Sequence, residues 1–449
     1  MKLAIGLLMF STGATTAVLA ADSATVAATA AGAEVVRLGL SDAVERALAS
    51  SPQLAQGRAL AAAAAADARV ARSSRFPSVD LSGGYTHQSD VPVLQLTLPN
   101  GQTQTLFPNI PENYRVRLSA GWALFTGGRT DGLIRAAQRE QEASGRDLDA
   151  ARQDVILATR TAYWSLVTTR QMAQVVRDGL GAYDAHLRDA GNRERFGMAA
   201  RNEVLAVRVE HDRAELALLR AENGAAVAEA NLRRLTGLAS AVTVETVEPF
   251  AGPAAEAPDI EPLVGQALDA RPEHAALRAR LAAAEARVRV EQGARWPQVT
   301  ASGGYDYANP NSRIMPPTAT WKDSWDVGVK LSLNLFDGGK TAAAVARARA
   351  RRDAVQAQLD DFTRGVRLQV TQRALDLKAA TAAVAVAERG LESARENQHV
   401  AADRYREGLI PSSELLDAEV GLLRSGLDLT DALAQARLAA AGLDRALGK

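Results

Sequence analysis

Few residues in this chain are spaced to do chemistry. Glu414 and Asp417 stand three apart behind Pro411-Ser412-Ser413, which puts both carboxylates on one face of a helix's first turn. Such a pair attracts cations, and it equally suits the positive end of a helix dipole. Glu203 holds the matching place in an earlier copy of this stretch, where Ala206 replaces the second acid. Gly339-Lys340-Thr341 ends like a phosphate-binding loop, but the first glycine of that pattern falls on Asn334. Gly128-Arg129-Thr130 recurs at the equivalent place, which favours a structural turn. His87, His186, His211, His274 and His399 show no paired ligand spacing. His211 takes the slot that Leu422 fills in the second copy, as a packed or tunnel-facing residue would. No Ser–His–Asp arrangement can be argued from spacing, so catalysis, a cofactor and a bound metal are not expected.

What must position these residues is a duplicated frame. Pro52-Gln53-Leu54, Pro77 and Gly83-Gly84-Tyr85 recur 220 residues later as Pro272-Glu273-His274, Pro297 and Gly303-Gly304-Tyr305. Phe125-Thr126-Gly127-Gly128-Arg129 recurs 211 residues later as Phe336-Asp337-Gly338-Gly339-Lys340. Gly197-Met198-Ala199 likewise matches Gly408-Leu409-Ile410 at a separation of 211. The register changes once, in a Pro- and Asn-rich stretch, as a loop of variable length would allow.

Composition narrows the class. The 449 residues carry 52 Lys plus Arg and 52 Asp plus Glu, without the basic excess of a nucleic-acid binder. Aromatics are 4% against 47% hydrophobics, so Ala supplies much of the apolar content and suits closely packed long helices. Residues 1–20 read as a secretory signal peptide: Lys2, an apolar run to Phe10, then small residues to a cleavage point after Ala20 or Ala21. Residues 21–37 read as a flexible lead. The absence of cysteine removes disulfides and acylation of an N-terminal Cys.

Two repeats follow, at 38–236 and 260–449, joined by a non-helical linker at 237–259 containing Pro249, Pro253 and Pro258. Each opens with a short helix and an Ala-rich one, then changes period. Within 78–125, Val79, Leu81, Gly83 and Tyr85 alternate with Asp80, Ser82 and Gly84, and Val116, Leu118, Ala120, Trp122 and Leu124 alternate with Arg117, Ser119 and Gly121. Within 297–336, Val299, Ala301, Gly303, Tyr305 and Tyr307 form one such series and Val327, Val329, Leu331, Leu333 and Leu335 another. These patterns predict four strands of about ten residues, the length that crosses a bilayer at a tilt. Four strands cannot close a barrel alone, so the chain must oligomerise or its sheet must pack on something else.

Long helices follow the strands. Leu148, Val155, Ala162, Thr169, Val176 and Tyr183 keep sevenfold spacing, as do Val370, Leu377, Val384 and Leu391. Such repetition predicts coiled-coil packing. Shorter helices return over about 201–236 and 412–447, after turns at Gly197-Met198-Ala199 and Gly408-Leu409-Ile410. Apolar Met198, Leu409 and Ile410 at such tips are expected to be exposed and to need a partner. The rival architecture is an all-helical periplasmic scaffold carrying a soluble sheet.

The duplicated order, the junctions at Gly127-Gly128 and Gly338-Gly339, and Arg404-Tyr405-Arg406-Glu407-Gly408 followed by Ser413-Glu414-Leu415-Leu416-Asp417 together resemble the TolC family of outer-membrane efflux ducts, non-acylated branch. The resemblance covers essentially the whole mature chain. It implies a mainly α fold with a small β part: a homotrimer whose twelve strands form a barrel in outer-membrane lipid, continued by a helical tunnel across the periplasm. It further implies a passive exit duct of a tripartite efflux or type I secretion system, served by a periplasmic adaptor and an inner-membrane pump of the RND, ABC or MFS type. Drug, metal, peptide and protein cargo all remain open. By the same resemblance Glu414, Asp417 and Glu203 ring the periplasmic entrance, and Gly197, Met198, Ala199, Gly408, Leu409 and Ile410 form the adaptor-docking tips. Ile410 departs from the family pattern, which has there an arginine that helps tie the mouth shut.

Overall fold

The computed structural model describes residues 35–252 and 259–449 apart from 98 and 100; the expected signal peptide, most of the lead and Pro253 and Pro258 lie outside them. Strand β1 (Val35–Leu38) leads into α1 (Leu40–Ser50) and α2 (Pro52–Ser73), whose Pro52 sits at the first helical position behind the Ser51 cap. Then come β2 (Ser78–His87), β3 (Leu94–Thr97), β4 (Thr103–Phe107) and β5 (Glu112–Phe125). The long helix α3 (Arg129–Arg195) and its return α4 (Arg201–Thr236) complete the first repeat, and β6 (Thr243–Thr246) follows in the linker. The second repeat runs through α5 (Ile260–Ala270), α6 (Pro272–Gln292), β7 (Gln298–Asn309), β8 (Lys322–Ser332), α7 (Lys340–Arg406) and α8 (Ser412–Ala446).

Helices α3 and α7 each have 67 residues, about 100 Å of helix at about 1.5 Å per residue. One flank of α3 carries α2 and then α4, the other carries α6 and then α8; α7 takes α6 and α8 on one flank. The sevenfold positions are the contact surface: Val155, Ala162, Val176 and Tyr183 are buried on α3, and Val370, Leu377 and Val384 on α7. Among the described residues no helix is long and apolar enough to cross a membrane.

The four expected strands form one antiparallel sheet in the order β2-β5-β7-β8, open at both edges. Register puts Leu81, Leu118, Tyr305 and Trp325 in one row, and Val79, Ala120, Gly303 and Val327 in the next. That face is apolar and uncovered: Leu81 is 73% exposed and Val327 78%. The opposite face is charged. Asp306 accepts from Arg115 Nε at 2.6 Å and from Arg117, whose guanidinium also reaches Asp326 at 3.1 Å. Arg117 lies flat across Gly304, where a Cβ would come within 2.7 Å of the guanidinium carbon.

Three expectations change. Residues 35–37, read as flexible lead, belong to β1, which pairs in parallel with β6 inside the linker read as merely non-helical. Leu38 and Val244 there are buried against Tyr163, Trp164 and Leu232, and Tyr163 Oη donates to the Leu38 carbonyl at 3.2 Å. The segment between β2 and β5 is not plain loop but carries the β3–β4 hairpin. Strand β8 ends at Ser332, so the alternation continued by Leu333 and Leu335 outlasts the pairing.

Candidate functional site

The strand-to-helix junctions fix where the long helices start. Gly127 and Gly128 have φ of +63° and +83°, and Gly338 and Gly339 +64° and +87°, a conformation L side chains avoid. Gly127 is also tightly enclosed: a Cβ would sit on the Gly293 carbonyl oxygen and 2.6 Å from Trp296 Cβ. At the second junction the Asp337 carboxylate accepts from the Gly339 and Thr341 amides at 3.0 and 2.9 Å. Those contacts, the Thr341 hydrogen bonds foremost, hold the Asp337 carboxyl below its ordinary value. A carboxylate therefore occupies the amides that a phosphate-binding loop would offer. The resemblance to such a loop ends there.

At the far end both long helices stop on the same device. Gly197 has φ +74°; its amide donates to the Glu194 carbonyl at 2.9 Å and the Met198 amide to Arg193 at 2.8 Å. Gly408 (φ +77°) and Leu409 repeat this on Tyr405 and Arg404, at 3.0 and 2.8 Å. These are Schellman caps, which close the orphan carbonyls of a helix end and turn the chain back. Met198 is 70% exposed and Leu409 63%, with Phe196 beside them at 78%; Ala199 is half-buried. Ile410 is not exposed as expected. It is buried against Tyr405, Leu415 and the neighbouring Ala401 and Ala402, because α8 folds back over it.

The two tips lie together. The Arg193 guanidinium rests over the Tyr405 ring at 4.2 Å, tying the end of α3 to the end of α7. Burial raises the Tyr405 phenol above its usual pKa, with Arg193 opposing. Glu414 on the first turn of α8 and Asp417 on the second are both exposed and three apart, so they share a face, as their spacing predicts. Glu203 is half-buried in the first turn of α4, close enough for its charge to act on Tyr405.

Beside these tips sits a group that residue spacing did not reveal. His186 on α3 is sealed: its Nδ1 lies 2.8 Å from Glu419 Oε2 and its Nε2 2.9 Å from Ser412 Oγ, both on α8. The connectivity is that of a Ser–His–acid triad. Ser412 is 1% exposed, however, so no substrate reaches the hydroxyl, and the three residues act as a tie between the repeats. The signal in the sequence was the separation of Ser412 and Glu419 by seven, one helix face over two turns. His211 pairs with Asp212 at 3.0 Å and with Asp184 at 3.1 Å, and Glu215 lies in the same cluster. The Asp212 hydrogen bond is the main cause of its raised pKa.

The fold defines a class: tall paired helical columns carrying a small sheet that is apolar on one face and charged on the other. The family profile described as "Outer membrane efflux protein" matches residues 43–238 and 263–449, and the chain belongs to that family. It is similar to Protein CyaE of Bordetella pertussis, 29% identical over 389 residues covering 85% of this chain and 78% of that one. It is also similar to the cobalt-zinc-cadmium resistance protein CzcC of Cupriavidus metallidurans, 25% identical over 356 residues (78% and 82% covered). Among solved structures, the outer membrane protein VceC of Vibrio cholerae shares the fold, with TM-score 0.78 and 23% identity over 91% of this chain and 96% of that one. The protein is thus an outer-membrane efflux channel that extends into the periplasm, and not an enzyme. Channels of this family form trimers and work with adaptors and inner-membrane pumps.

Proposed function

We propose that three copies of this chain form a passive exit duct with a twelve-stranded barrel above a helical tunnel. Cargo is handed over at the periplasmic end by an adaptor and an RND, ABC or MFS pump. The observation that carries this reading is the sheet. Its apolar face is uncovered, its other face bears Arg115, Arg117, Asp306 and Asp326, and both edges are unpaired. A single copy in lipid would leave those edges unsatisfied, which a closed ring removes.

In this reading Glu414, Asp417 and Glu203 encircle the entrance, so that three copies present nine carboxylates to the cargo. The tips receive the adaptor: Gly197, Met198 and Ala199 on one side, Gly408, Leu409 and Ile410 on the other. Exposed Met198 and Leu409 supply the apolar contact, while Ile410 shapes the turn from beneath. The likeness to the cobalt-zinc-cadmium resistance protein CzcC supports metal ions as one cargo class. Detergent extraction of the membrane fraction followed by light scattering tests the assembly. A mass of three mature chains is expected; a stable monomer overturns it.

A further inference from the structure

The charged face of the sheet is banded along its strands. Register places Gly84, Arg115, Ala308 and Lys322 in one row, toward the strand ends farthest from the helices. Ser82, Arg117, Asp306 and Ser324 form the next row, and Asp80, Ser119, Gly304 and Asp326 a third. Lys330 stands opposite Thr300, nearer the helices. Arg313, in the segment joining β7 to β8, reaches the same face: its Nη1 donates to the Trp325 carbonyl at 2.6 Å and lies 3.8 Å from Asp326 Oδ1. Five cations (Arg115, Arg117, Arg313, Lys322 and Lys330) thus face three carboxylates (Asp80, Asp306 and Asp326), and the positive excess gathers in the outer row.

The two acids of the outer rows are already committed. Both Asp306 oxygens accept, one from Arg115 Nε and the other from Arg117, and Asp326 accepts from Arg117 at 3.1 Å. The outermost cations are open. The Arg115 side chain is 59% exposed, and its Nη atoms make no hydrogen bond among the described residues. Lys322 is exposed, and its ammonium has no carboxylate partner among the described residues. Opposite Arg115 on β2 stands Gly84, with nothing within 4 Å of an added Cβ, so the guanidinium borders a shelf free of side chains. Arg115, Arg117 and Arg313 line one cavity of about 610 Å³ there, together with Ser82 and Thr86. A guanidinium fork left open in this way binds the paired oxygens of a carboxylate or phosphate. Asp90, the one charge in the segment joining β2 to β5, is held by Asn109 at 2.5 Å and does not line the cavity.

We infer that Arg115, Arg313 and Lys322, in three copies, form an anion-attracting ring at the outer end of the duct, which draws the carboxylate or phosphate groups of cargo toward the exit. Its sign is opposite to that of the carboxylates proposed for the periplasmic entrance. Cargo bearing both signs is therefore attracted at each end in turn, which makes the ring a determinant of specificity.

This inference rests on the duct reading, which turns the charged face to the lumen, and adds the sign and the residues of the exit. The field of a wall charge extends about 30 Å in about 10 mM salt but only about 3 Å in about 1 M, so the ring is read in dilute salt. The measurement is the reversal potential of purified trimers in planar bilayers under a potassium chloride gradient. Glu203→Ala, Glu414→Ala and Asp417→Ala together remove the proposed entrance acids and leave the ring to set selectivity. That variant is expected to prefer chloride by about twofold in dilute salt, with the preference vanishing in concentrated salt. Adding Arg115→Gln and Lys322→Gln is expected to abolish the preference. Should the Arg115 variant fail to assemble, Lys322→Glu carries the same test, since it releases no partner. An entrance variant without chloride preference, or a preference that survives the ring substitutions, would overturn the ring. Wild-type trimers that conduct nothing would overturn the duct reading itself.

Discussion

His186 Nδ1 on α3 and Glu419 Oε2 on α8 lie 2.8 Å apart, with both side chains sealed from solvent. The pair joins residues 233 apart in sequence and belongs to different repeats. A buried polar group that loses its partner keeps the full cost of desolvation, about 1–3 kcal/mol, whereas removing both partners is far milder. Glu419→Leu alone, or His186→Leu alone, is therefore expected to lower thermal stability more than the double variant. Additive losses in the double-mutant cycle would mean the two side chains do not depend on each other.

The junction glycines predict an asymmetry between the repeats. Gly127→Ala must meet both a positive φ, worth about 1–2 kcal/mol, and the wall made by Gly293 and Trp296. Gly338→Ala meets only the φ, since nothing lies within 4 Å of its added Cβ. Comparing thermal unfolding of the two variants checks this, with Gly127→Ala the less stable. Equal losses would mean that the contact with Gly293 and Trp296 yields.

Asp337 gives a pH dependence of known sign. Its folded pKa lies below the ordinary 3.8, owing first to the Thr341 hydrogen bonds. Its stabilisation is thus present above the unfolded value and disappears as pH falls through the lower, folded one. Asp337→Asn is expected to flatten the acid side of a melting-temperature profile while changing little on the alkaline side of neutrality beyond a constant offset. An unaltered acid limb would show that the carboxylate does not cap α7 in solution.

At the tips, Met198→Asp with Leu409→Asp replaces two exposed side chains without touching the glycine caps. Trimers are expected to form and to reach the outer membrane, and efflux measured by cargo accumulation in cells is expected to fall at least tenfold. Full efflux would remove these residues from the adaptor contact.

How much of this was readable in the sequence depends on the length scale of the signal. The sevenfold positions that bury Val155, Val176, Val370 and Leu377 repeat over many turns, so the columns were legible. The sheet was legible through Tyr85, Leu118, Tyr305 and Val327, whose alternation runs for ten residues or more. Strands β1 and β6 were not, because four residues carry no usable period and their partners lie 208 residues apart. The His186 tie was hidden for the same reason: it is a tertiary pairing between two helix faces. Ile410 was misread because apolar residues at a turn look alike until the path of α8 is known. Glu414 and Asp417 were legible as a shared, exposed helix face, whereas the proposal that they line a mouth rests on resemblance.

Cysteines at Val91 and Met315, both exposed beyond the strand ends opposite the helices, report topology. Val91→Cys and Met315→Cys are expected to react with impermeant maleimides on intact cells. Protection of both would invert the orientation.

The central claim is that this protein is itself a passive conduit whose periplasmic mouth is lined by Glu414 and Asp417. Ion conductance of the purified trimer in a planar bilayer, without pump, adaptor or nucleotide, tests it most directly. A ring of like charge in a constriction favours cations and binds multivalent ones tightly. Cation-selective conductance is expected, blocked from the periplasmic side by trivalent cations at about micromolar concentration, with the block lost in Glu414→Ala plus Asp417→Ala while the pore stays open. Absence of conductance in the wild type would contradict the conduit, and a block that persists in the double variant would contradict the mouth.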